Sequence, residues 1–153
     1  MSLSANKKNV TPLAKAMKLL ARRDHSVNEL IHKLKPFYPS GEVNAVISRC
    51  LDENWLNDSR FAESYIRSRS GCGYGARRIA MELQQKGIAS DVIQQALKEV
   101  AVDWHALLFR LLERRQPLPA DPSERIRLQN MFLRRGFSPE MIQRCFSLAE
   151  KQD

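Results

Sequence analysis

Ile79-Ala80-Met81-Glu82-Leu83-Gln84-Gln85-Lys86-Gly87-Ile88, followed by Val92-Ile93 and Ala96-Leu97, is the stretch that decides the fold. Ile79 and Leu83 share one face of a helix. Gly87 stands where a helix ends on a left-handed residue, and Ile88 is the apolar residue that packs back onto the last turn. Val92, Ile93, Ala96 and Leu97 then start a second helical stripe. The pattern returns 49 residues later without a gap. Leu128, Phe132, Gly136, Phe137, Met141, Ile142, Cys145 and Phe146 match Ile79, Leu83, Gly87, Ile88, Val92, Ile93, Ala96 and Leu97.

Working outward, Leu107, Leu108, Leu111 and Leu112 lie 46 residues after Phe61, Ala62, Tyr65 and Ile66. Leu30 and Leu34 lie 49 residues before Ile79 and Leu83, with Tyr38–Gly41 lengthening the next connection. Leu13, Met17, Leu20 and Ala21 form an opening stripe; Val43, Val46, Ile47, Cys50 and Leu51 form the third of that unit. The punctuation agrees. Ser26-Val27-Asn28-Glu29 reads as a capping box, Pro36 and Pro39 stop a helix, Asp58 reads as an N-cap, and Asp121-Pro122 as a capped start. No segment alternates long enough for a strand. The expectation is an all-α chain of three tandem three-helix repeats, 10–57, 58–101 and 102–153, after a flexible N-terminus at 1–9. Such small units must stack to bury enough apolar surface.

The formal charge is +8, spread as +4, +2 and +2 over 1–57, 58–101 and 102–153, so any basic surface is built on the fold. It favours polyanionic partners. Cys50, Cys72 and Cys145 are isolated, a reduced pattern with neither a disulfide framework nor a zinc site. No apolar run approaches the ~18 residues of a membrane span, and Met1–Val10 does not read as an export signal. A cytoplasmic monomer is expected.

Catalytic signatures are missing. There is no P-loop, no dinucleotide fingerprint, no His-Glu-x-x-His and no nucleophile elbow. His25, His32 and His105 are dispersed and expected on the surface. No enzyme activity, metal or cofactor is expected. Gly71-Cys72-Gly73-Tyr74-Gly75 reads as an interhelical turn, with close approach to a phosphate as its functional alternative.

The informative chemistry is arginine. Arg22-Arg23, Arg67 with Arg69, and Arg114-Arg115 close the first helices, where cations suit the helix dipole. Arg134-Arg135 does the same further on. Arg77-Arg78 does not, because it sits near a helix start. Tyr74 lies among these arginines and could stack on a base or a partner side chain. Guanidinium forks grip carboxylate or phosphate in two-point fashion. These residues, together with Lys86, make the candidate partner-binding surface. Charge reversal at Arg69, Arg77 and Arg78 is expected to leave melting unchanged while abolishing function.

Leu56-Asn57-Asp58-Ser59-Arg60-Phe61 and the run Arg69, Tyr74-Gly75, Arg78-Ile79, Glu82-Leu83, Lys86-Gly87-Ile88 resemble the RecX family of bacterial RecA regulators. The resemblance extends from Leu13 to Leu148 and includes Ala21–Leu30 and Pro117–Pro119. Asn54-Trp55, Asn57 and Ala76 depart from the family's frequent choices. The resemblance implies an elongated, curved array that binds in the groove of the RecA–single-stranded-DNA filament. It implies inhibition of filament growth, ATPase, strand exchange and co-protease activity, and hence a role in DNA repair and the SOS response. The alternative is a stand-alone basic helical protein that binds single- or double-stranded DNA.

Overall fold

The computed structural model describes residues 10–151; the flexible segment expected at 1–9 lies outside them. The described residues form nine helices and no strand. The first triplet is α1 (Pro12–Arg22), α2 (Val27–Leu34) and α3 (Ser40–Asp52). The second is α4 (Asp58–Gly71), α5 (Ala76–Gln85) and α6 (Ser90–Val100). The third is α7 (Trp104–Glu113), α8 (Pro122–Arg134) and α9 (Pro139–Lys151). Helix packing is concentrated inside each triplet, with α4 on α6 and α7 on α9 the broadest contacts.

Each triplet has its own core. Ala16, Leu30, Leu34, Val43 and Cys50 centre the first; Ala62, Ile66, Ile79 and Leu83 the second; Leu108, Leu112, Phe132 and Phe137 the third. Trp104 borders both the second and third. A buried aliphatic side chain contributes about 1.5–3 kcal/mol, so a core of eight or nine residues cannot far exceed the chain entropy it must overcome. The stripe of α1 is displaced from the expected one: Ala16 is fully buried, while Met17 is 47% exposed. Leu13, Leu19 and Leu20 pack against the same core.

Capping follows sequence closely. Ser26 and Glu29 exchange both bonds of the capping box at 3.1 Å. Gly87 has φ +83° and Gly136 φ +103°. Their turns are the same: Ile88 N donates to Leu83 O and Phe137 N to Phe132 O, both at 3.2 Å. Two expectations change. Asn57, not Asp58, caps α4, because its Oδ1 accepts from Arg60 N. His25 is not on the surface; it is 4% exposed, with Nδ1 3.0 Å from Arg23 O.

The triplets join through their second helices, end to end. Ser26 Oγ donates to Lys86 O at 2.8 Å, so the start of α2 meets the end of α5. Asp58, freed from capping, accepts from Val27 N at 2.8 Å across the same joint. At the second joint Gly75 N donates to Arg135 O at 2.7 Å and Arg77 N to Gly136 O at 3.1 Å, so the start of α5 meets the end of α8. Ser26 and Gly75 are themselves 49 residues apart, as are Lys86 and Arg135. The joints are thus two copies of one contact. If in line, the helical residues of α8, α5 and α2 span roughly 45 Å at 1.5 Å each.

Glycine is required where the joints are tightest. A Cβ on Gly87 would lie 2.5 Å from Asn28 Cβ, and one on Gly136 2.5 Å from Arg78 Cβ. A Cβ on Gly75 would lie 2.6 Å from the backbone of Gly136. In the outer first triplet the matching register position, 49 before Gly87, is Tyr38.

Candidate partner-binding surface

The arginine-rich middle is organised around one carboxylate. Glu82, on α5, accepts from Arg69 Nε and Nη2 at 3.0 and 2.9 Å, a two-point bond from α4. Tyr65 Oη donates to it at 3.0 Å and Arg78 Nε at 3.3 Å. Burial opposes ionisation of Glu82, but the bonds from Arg69, Tyr65 and Arg78 outweigh it and hold its pKa below the usual carboxylate value. Burial and the bond to Glu82 together push the Tyr65 phenol up.

Arg78 also donates from Nη1 to Arg134 O at 3.1 Å. For Arg78 this resolves the anomaly of a cation at a helix start. The amino end of α5 faces the carboxyl end of α8, so its arginine satisfies a terminal carbonyl of the neighbouring helix. Tyr74 is held by its own chain: Arg69 lies 3.8 Å from the ring centre, Arg78 4.9 Å and Arg135 5.8 Å. The glycine loop's amides are likewise engaged, Cys72 and Tyr74 with Arg69 O, Gly73 with Ser70 O and Gly75 with Arg135 O. The loop is a joint between triplets, and its closest approach, at Gly75, is to the backbone of Gly136.

The first joint has a smaller version of this network. Glu29 meets Lys86 Nζ at 3.4 Å and Arg23 at 3.5 Å. Burial again raises its pKa, but the Ser26 amide and the two cations bring it below the ordinary value.

The candidate residues therefore divide into two sets. Arg69, Arg78, Lys86 and Arg23 are paired with Glu82 or Glu29. Among the described residues, the exposed Arg22, Arg67, Arg77, Arg114 and Arg134 have no ion pair. Arg115 contacts the Met131 sulfur at 3.5 Å. Sequence reasoning missed Arg110, which is exposed on α7 one turn before Arg114. Its i, i+4 spacing from Arg114 was the available signal.

Arg67, Arg110, Arg114 and Arg135 line a groove of about 420 Å³ between the second and third triplets, floored by Val100, Val102, Leu107 and Leu111. No acid lines it. Among the described residues, no group of three or more His, Cys, Asp or Glu is gathered as a metal would require. No helix among them is long and apolar enough to cross a membrane.

Fold and surface together define a class: an array of three-helix units, joined through glycine turns and studded with unneutralised guanidinium groups. The family described as "RecX, first three-helix domain" matches residues 13–50, and "RecX, second three-helix domain" matches 57–97. The protein called Regulatory protein RecX in Yersinia enterocolitica is 38% identical, the match covering 88% of this chain and 95% of that one. Its namesake in Pseudomonas putida is 40% identical over 94% of this chain and 96% of its own. The chain belongs to the RecX family. The crystal structure of RecX from Lactobacillus salivarius has the same fold, with a TM-score of 0.75 at 21% identity over 95% of this chain and 98% of that one.

Proposed function

We propose that this chain regulates the RecA recombinase by lying in the groove of the RecA–single-stranded-DNA filament as a monomer, touching more than one RecA subunit. It thereby lowers ATP hydrolysis, strand exchange and co-protease activity, and with them recombinational repair and the SOS response. It acts in the cytoplasm, by binding alone and without a cofactor. The units 10–57, 58–101 and 102–153 act as successive contact modules. The observation that carries this reading is the division of the arginines. The scaffold neutralises some internally and leaves Arg22, Arg67, Arg77, Arg114 and Arg134 without an ion pair among the described residues. Several moderate contacts on one scaffold give avidity beyond any single one. The names of the relatives, regulatory proteins, agree with the reading.

The test is RecA's DNA-dependent ATPase, titrated with this protein below equimolar dose. Inhibition is expected, with weak affinity for naked DNA that falls steeply with salt. Unchanged turnover at equimolar dose rejects the proposal. Tight, sequence-selective binding to free DNA favours a stand-alone DNA-binding protein instead.

A further inference from the structure

The two joints carry two equivalent grooves, and their differences act as an internal control. The groove at the first joint, about 320 Å³, is lined by Phe61, Ser64, Tyr65, Ser68 and Lys86, and also by Arg23 and Asp24. Shifted by 46 residues, Phe61, Ser64, Tyr65 and Ser68 become Leu107, Arg110, Leu111 and Arg114; shifted by 49, Lys86 becomes Arg135. These residues line the second groove. The fold therefore needs no cation at either serine position. The second groove nonetheless has an arginine at both, adds Arg67, and lacks the acid found at the first.

We propose that the groove between the second and third triplets is a binding site for a phosphate chain, of the nucleoside triphosphate class. Gathering Arg67, Arg110, Arg114 and Arg135 around one space without a carboxylate is unfavourable by mutual repulsion. An anion relieves it, and guanidinium groups bind phosphate oxygens in two-point fashion. A terminal phosphate carries about −1.5 to −2 charges, against one for a carboxylate, so a short phosphate chain matches this charge density better than an acidic peptide does. Val100, Val102, Leu107 and Leu111 offer an apolar floor for a base and sugar. The volume lies within the ordinary range of ligand sites, about 300–1,000 Å³. Gly73 leaves room for the guanidinium of Arg135: a Cβ there would sit 2.9 Å from its Nη1. This inference goes beyond the filament reading and does not require it.

The groove contains its own reporter. Cys72 is exposed on its lining, whereas Cys50 and Cys145 are buried, and burial pushes both of their thiols up. Alkylation of Cys72 in the full chain by the neutral reagent N-ethylmaleimide is followed with ATP, inorganic tripolyphosphate or an oligothymidylate present, and with RecA absent. At a ligand concentration about ten times its Kd, the expected slowing is about tenfold. The double variant Arg110→Ser, Arg114→Ser copies the first groove, so its fold is expected to persist, and it should lose the protection. A separate Arg67→Gln variant should weaken it. Stronger protection by ATP than by tripolyphosphate supports the nucleoside triphosphate assignment. Oligothymidylate protecting best would support phosphate recognition but overturn the free nucleotide as its source. No slowing by any of the three, or equal slowing in the double variant, would overturn the site; so would polyglutamate, added as a fourth probe, if it protected as well as ATP.

Discussion

At the scale of single residues, Glu82 shows how a basic protein keeps its arginines in order. It collects bonds from Arg69, Arg78 and Tyr65 while only partly exposed. Glu82→Gln should lower stability by about 2 kcal/mol, since charged hydrogen bonds are worth roughly 1.5–3 kcal/mol and partial exposure screens them. Denaturant unfolding measures this. Arg69→Glu should be comparably costly, because Glu82 would then face a like charge. The expectation that Arg69 and Arg78 can be reversed without a change in melting therefore fails; it remains for Arg77, whose side chain has no such bond among the described residues. Acid titration should act in two windows. Burial lowers the His25 pKa beneath 6.5, so its contribution is complete above pH 6.5 and is lost as pH falls toward the folded value. Glu29 and Glu82 have lowered pKa values, so theirs is complete above 4.5 and lost on further acidification. Asp58 works the other way: burial raises its pKa, and its protonation partly offsets the second loss. Urea unfolding across pH checks the order, and His25→Asn should remove the first window.

At the scale of elements, the joints decide. Gly136→Ala would put an L side chain at φ +103° and its Cβ against Arg78. A cost of at least about 2 kcal/mol is expected from strain and overlap, with α8 and α9 exchanging amide hydrogens sooner than α4–α6. Gly41→Ala should go the opposite way, because its helical position in α3 has nothing within 4 Å of a new Cβ; a gain of up to about 1 kcal/mol is expected. The glycine turns at Gly87 and Gly136 were legible in the sequence because a left-handed cap leaves a local signature. What each glycine faces was not legible. Asn28 and Arg78 come from other triplets, and no periodicity reports a contact 50 or more residues away. Asp58 was misread for the same reason: the amide it accepts from, Val27 N, belongs to another triplet. The basic surface was legible as composition, but its division into paired and unpaired arginines depends on where Glu29 and Glu82 project.

At the scale of the whole molecule, three modest cores are joined through the column α8–α5–α2, and the unpaired charges are shared between it, at Arg77 and Arg134, and the first helices of the triplets, at Arg22, Arg67 and Arg114. Reversal of the unpaired set should separate fold from function. Arg77→Glu with Arg114→Glu is expected to leave melting within about 1 kcal/mol of the parent, as exposed unpaired charges contribute little. It should weaken inhibition of the RecA ATPase by roughly tenfold or more, taking about 1.4 kcal/mol as one decade and several contacts as additive. Retained inhibition in that variant, with RecA otherwise responsive, would remove these two residues from the interface.

The two outer ends of the same column differ from its inner joints. At the outer face of the first triplet, Tyr38 occupies the register position that Gly87 and Gly136 hold at the inner joints. At the opposite face, α8 starts at Pro122, three residues ahead of the position that matches Ala76 at the start of α5. Tyr38 packs against its own core and donates to Val10 O at 2.6 Å, so neither outer end repeats the pairing of glycine turn and helix start found at the inner joints. Adhesion between neighbouring triplets thus depends on a matched pair, a side-chain-free bend on one helix and a close-fitting start on the next, which the inner seams supply twice.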